Sequence, residues 1–179
     1  IPSLSDTTAQ ERERLAQFAA GGLGAMMGYG ASGTHRHRQS VLQCAIQLHA
    51  EERDITLDAL MDTINRPDPE LLRAVASLQR YFAPLAEDLQ TLRIQRGGLL
   101  AGEGEPLELD QLLPRPGGRP RLTIINTAAL TEVPVLQFWI SRLLIELSRL
   151  GRKRPSKTLQ AVAFFDEADW AKIPASARK

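Results

Sequence analysis

Apolar positions recur three and four residues apart through the first half of the chain, the spacing of helices with one buried face. Asp6 or Thr7 caps a first helix running to about residue 20, with Leu15, Phe18 and Ala19 on one side. The stretch 21–33, G-G-L-G-A-M-M-G-Y-G-A-S-G, holds six glycines and is expected to be a loop. A second helix follows over 38–52, with Val41, Leu42, Ala45, Ile46 and Leu48 apolar. Thr56 opens a short third helix that turns Leu57, Leu60, Met61 and Ile64 inward, and the turn at 65–69 ends it. Two more helices are predicted over 69–82 and 84–96, each with proline in its first turn, where the missing N–H leaves no bond unmade.

The pattern changes after Gly97. Residues 97–121 are dense in glycine and proline and read as a connector, with one short strand at 106–109. The β-branched run R-L-T-I-I-N at 121–126 reads as a buried strand. Thr131 caps a helix over 132–150 that is apolar on most of its circumference, and Gly151 stops it. After the basic segment R-K-R-P-S-K, the run L-Q-A-V-A-F-F at 159–165 reads as a second strand. Strand, helix and strand make one right-handed βαβ unit. The fold class expected is mixed α/β and predominantly helical: a helical segment over 1–96, then a βαβ piece within 97–179.

Charge and composition bound the chemistry. The chain has 179 residues, 43% of them hydrophobic and 24% charged, a globular balance for one domain of ordinary size. Residues 1–110 carry 10 basic and 16 acidic side chains, a net of −6, whereas 111–179 carry 12 and 5, a net of +7. A solvated face with an arginine-rich loop accounts for the basic half; a nucleic-acid surface is the other reading. The densest apolar stretch, 133–150, is interrupted by Gln137, Ser141, Arg142, Glu146, Ser148 and Arg149, short of the ~18–20 residues a membrane span needs. A single cysteine, Cys44, excludes an internal disulfide, and its apolar neighbours make it a buried, inert thiol. His35 and His37 form an H-x-H that lacks a nearby third ligand; a solvated basic turn is the plainer account.

The most informative segment is A-V-A-F-F-D-E-A-D at 161–169. An apolar strand ending in two carboxylates describes a Walker B element. Asp166 is placed to hold Mg²⁺, and Glu167 to polarise an attacking water as general base. On this reading both carboxylates stand at the strand's C-terminal edge, with Phe164 or Phe165 buried beneath. An ordinary core strand followed by a helix capped by Asp166 or Asp169 is the other possibility. No G-x-x-x-x-G-K-[ST] accompanies it: G-Y-G-A-S-G at 28–33 runs into Thr34 and His35, with no lysine. The D-E-A-D tetrapeptide also lacks the G-K-T and P-T-R-E-L-A segments that precede it in DEAD-box helicases.

Residues 93–169 resemble the HerA/FtsK-type P-loop ATPases. The likeness lies in I-Q-R-G-G-L-L-A at 94–101, G-E-P-L-E-L-D at 104–110, L-T-I-I-N-T-A-A-L at 122–130, the helix at 133–150 and V-A-F-F-D-E-A-D-W at 162–170. Residues 1–92 are similar only in kind to the helical segment such enzymes carry after Walker A. The resemblance implies a piece of a RecA-like core, with Asp166 the Mg²⁺-associated acid and Glu167 the catalytic acid. It further implies Mg²⁺ and ATP as cofactors of the intact enzyme and a cytoplasmic location. The implied partners are the rest of the ATPase domain, further copies in a homo-oligomeric ring, and DNA. Walker A, the sensor strand and the arginine finger of that family fall outside these residues. The expectation is therefore an internal piece of a larger ATPase, inactive alone. The alternative is a free-standing helical protein-interaction module in which D-E-A-D is coincidental.

Overall fold

In the computed structural model, the residues described are 8–49, 55–100, 121–159 and 161–164. The chain divides into two compact units, Ile1–Glu105 and Pro106–Lys179.

The first unit is helical. Helix α1 (Ala9–Met26) is capped by Thr8, whose hydroxyl accepts from the Glu11 N–H at 3.3 Å. It runs through Gly21, Gly22 and Gly24, so the expected loop at 21–33 is corrected to a helix end and a short turn. The helix stops at Gly28, which adopts φ +75°. The Gly28 N–H bonds the Ala25 carbonyl at 3.1 Å and the Tyr29 N–H bonds the Gly24 carbonyl at 2.8 Å, the paired bonds of a Schellman motif. Glycine is tolerated inside α1 because the helix buries a small-residue face, Ala16, Ala19, Ala20 and Gly24, with Leu23 among them. At Gly24 the close neighbour is Tyr29, which folds back so that an added Cβ would lie 3.2 Å from its Cδ2.

Helix α2 (Gly33–His49) packs on α1 through Val41, Leu42, Ala45 and Ile46. Helix α3 (Leu57–Asn65) is capped by Thr56 and buries Leu57, Leu60, Met61 and Ile64, as its periodicity predicts. The helix expected over 69–82 is instead α4 (Pro69–Ala74) followed by a 3₁₀ turn (Ala76–Tyr81), and α5 spans Phe82–Leu100. Pro84 explains why α5 starts afresh at Phe82. In one continuous helix its missing N–H would orphan the Arg80 carbonyl, whereas in the first turn of α5 it displaces nothing. α5 lays Leu85, Leu89 and Leu92 on α2 and α3, and all three are buried. Leu71, Val75, Tyr81 and Phe82 complete the core.

The second unit holds helix α6 (Val133–Lys153), with Pro134 in its first turn and Val135 and Leu143 buried. Its N-cap is Glu132 rather than Thr131, and it passes Gly151 before Pro155 forces the chain out. The expected βαβ piece is overturned. Among the described residues no strand forms, either at 121–126 or at 159–164. β-Branched composition favours a strand only where a neighbouring strand supplies the ladder and covers the side chains. Here Leu122, Ile124, Leu159, Val162 and Phe164 are 76–87% exposed. Before α6 a turn forms in which Asn126 Oδ1 accepts from the Ala128 N–H at 2.9 Å. The expected strand at 106–109 lies outside the described residues.

Candidate functional site

The two carboxylates singled out from the sequence, Asp166 and Glu167, lie outside the described residues. The segment leading to them is described as far as Phe164. Of the two phenylalanines either of which was expected to lie buried beneath the sheet edge, Phe164 is 87% exposed. Phe165 lies outside the described residues.

The densest polar arrangement in the first unit joins the α1–α2 turn, α2 and α5. Asp88, on α5, accepts at one oxygen from both the Tyr29 hydroxyl and Arg38 Nη1, the latter at 2.6 Å. Arg38 reaches it because α2 packs against α5, and Tyr29 because the Schellman turn folds the ring back over α1. Arg38 Nε is buried and makes no hydrogen bond. Burial pushes the Tyr29 hydroxyl far above its ordinary range, and the hydrogen bond to Asp88 and its negative charge push the same way. Tyr29 is therefore a protonated donor at any physiological pH. Both bonds fall on the same oxygen, Asp88 Oδ2, and both partners are donors to it, so the trio pairs a carboxylate with two donors and holds no activated nucleophile. It fastens the α1–α2 turn to α5.

His35 and His37 extend this edge in different directions. The His35 ring stacks on Tyr29 with centroids 4.9 Å apart and planes 8° apart, and its Nδ1 accepts from the Gly30 N–H at 3.0 Å. His37 Nδ1 lies 3.0 Å from the Tyr81 hydroxyl, which also accepts from Arg80 Nη2 at 2.9 Å. Each imidazole thus commits one ring nitrogen to a protein partner. No group of three or more His, Cys, Asp or Glu side chains among the described residues is arranged to hold a metal ion.

Two other polar groups have structural roles. Asp68 caps α4 by accepting from the Leu71 N–H at 2.8 Å, and His49 Nε2 lies 3.1 Å from its second oxygen without an aligned hydrogen bond. The Leu71 N–H holds the Asp68 carboxyl below its usual range; partial burial opposes this and His49 reinforces it. Cys44 packs beside the core, where burial pushes its thiol up and Glu70 adds to the effect. It stays protonated near neutral pH, the state of a structural rather than a reactive cysteine. A shallow cleft of about 350 Å³ between α3 and α5 is lined by Ile64, Pro67, Leu72 and Phe82, with Asn65 and Gln79 its polar groups. It presents no acid, base or nucleophile.

In the second unit the end of α6 is basic. Arg152 and Lys153 occupy its last turn, and every residue from 151 to 159 is exposed. Cations there complement the helix's unpaired carbonyls. Arg149 and Arg142 both turn back to Glu146, at 3.3 and 3.8 Å.

The chemistry-bearing residues of the first unit are far apart in sequence. Tyr29 and Asp88 are separated by 59 positions and Arg38 and Asp88 by 50, so no local motif announced the trio. Asp88 carried one faint signal, an acid on α5 beside the buried Leu85–Leu89 stripe. No helix among the described residues is long and apolar enough to cross a membrane. Compared with known proteins, the chain matches no family model, no curated protein and no solved structure.

Proposed function

We propose that this chain is part of a motor ATPase of the HerA/FtsK type, contributing its acidic pair to ATP hydrolysis. The observation that carries the reading is an apolar run, A-V-A-F-F, delivering two adjacent carboxylates, Asp166 and Glu167. In the assembled enzyme Asp166 sits in the ligand shell of Mg²⁺ on the triphosphate. Glu167 accepts a proton from the attacking water. The phosphate cradle comes from elsewhere in the ATPase domain, since 1–179 contain no G-x-x-x-x-G-K-[ST]. Exposed Leu122, Ile124, Leu159, Val162 and Phe164 support the same view. Apolar side chains of this size, spread over two segments flanking α6, call for cover, which the remainder of that domain provides. The motor works in the cytoplasm as a homo-oligomeric ring, with DNA as the polymer it moves.

A second reading has its own support. Among the described residues of the first unit, the helices share one continuous apolar core and hold no catalytic grouping, as a protein-interaction module would. Nucleotide assays separate the two. In the full-length protein, Glu167→Gln is expected to abolish Mg-ATP hydrolysis while leaving ATP affinity within a few-fold. Asp166→Ala is expected to weaken Mg²⁺-dependent ATP binding as well. Unchanged turnover in both variants, or no ATP binding by the full-length protein, would overturn the motor reading in favour of the module.

A further inference from the structure

We draw no further inference here: the strongest candidate, the basic cluster His35, Arg36, His37 and Arg38 at the N-terminal end of α2 with Arg80 and Tyr81 beside it, is a helix N-terminus at which nothing in the structure marks a ligand.

Discussion

Gly24 and Gly21 lie one turn apart on α1, yet replacing each by alanine should give opposite results. Gly→Ala inside a helix ordinarily stabilises by about 0.5–1 kcal/mol, because alanine has less backbone freedom to lose. At Gly21 the new Cβ meets only Gln39 Nε2, at 3.4 Å, the mobile end of a long side chain. That gain should appear in full. At Gly24 the new Cβ lies 3.2 Å from Tyr29 Cδ2 and 3.7 Å from Tyr29 Cβ and Cγ. The ring must retreat by a few tenths of an ångström, and three contacts resist: its hydroxyl is bonded to Asp88, its face is stacked on His35, and its N–H is bonded to the Gly24 carbonyl. Overpacking of a fixed neighbour costs about 1–3 kcal/mol, which exceeds the helix gain. Gly24→Ala should therefore be less stable than Gly21→Ala by about 1–3 kcal/mol, or roughly 2–12 °C in Tm at about 2–4 °C per kcal/mol for a chain of this size. Urea and thermal unfolding followed by circular dichroism at 222 nm would measure it. A double-mutant cycle locates the cause: in a Tyr29→Ala background, Gly24→Ala should recover the ordinary gain of about 0.5–1 kcal/mol. If Gly24→Ala stabilises the unmodified chain as much as Gly21→Ala does, the account of Tyr29 as a fixed lid over α1 is wrong.

Four further outcomes are expected. The 179-residue chain alone should show no Mg-ATP turnover above buffer, because its sequence holds no G-x-x-x-x-G-K-[ST] to position a triphosphate; turnover lost on Glu167→Gln would contradict this. Leu85→Ala, at a fully buried position on α5, should cost about 2–5 kcal/mol, whereas Leu159→Ala, at an exposed one, should stay within about 0.5 kcal/mol in urea melts. Asp68, held below its usual carboxylate range by the Leu71 N–H, contributes stability that is present above the unfolded value of about 3.9. That contribution is lost as pH falls through the lower folded value, so Asp68→Asn should flatten the acid limb of a Tm-against-pH curve. Cys44 should react with a thiol reagent at pH 8 more slowly in the folded chain than in urea, and equal rates would contradict its partial burial against the core.

Where a segment's structure follows from its own residues, the sequence was enough. α3 needed only Thr56 and the spacing of Leu57, Leu60, Met61 and Ile64, and both cap and buried face follow. The extent of α6 was nearly legible, but Gly151 misled. A glycine ends a helix when the backbone there turns left-handed, and Arg152 and Lys153 keep this one winding until Pro155. The same error occurred at Gly21 and Gly22: of the run of glycines only Gly28 has a positive φ, and it marks the true end of α1. The strand expected at 121–126 failed for a different reason. Ile124 and Ile125 suit a pleated, covered surface, but that suitability is conditional on a neighbour their own letters do not specify. Asp88 illustrates the limit for sites. Its two partners come from the turn after α1 and from α2, so only the packing of α2 on α5 reveals them.

The Asp88 link also sets an order of events as the chain is made. Arg38 precedes Asp88 by 50 positions, which at about 5–20 residues per second means roughly 3–10 s between their appearances during synthesis. In that interval the α1–α2 hairpin completes its turn, its cap and its small-residue seam, all local, and α3, α4 and the 3₁₀ turn that pack on α2 are made, but the carboxylate that pairs with Arg38 is not. The hairpin is a nascent unit whose tyrosine and arginine stay hydrated until α5 emerges. Docking of α5 then buries Leu85 and Leu89 and delivers the carboxylate together, so burial and charge pairing are completed in one step. A ribosome paused between Arg38 and Asp88 would therefore hold a helical hairpin without its fastening.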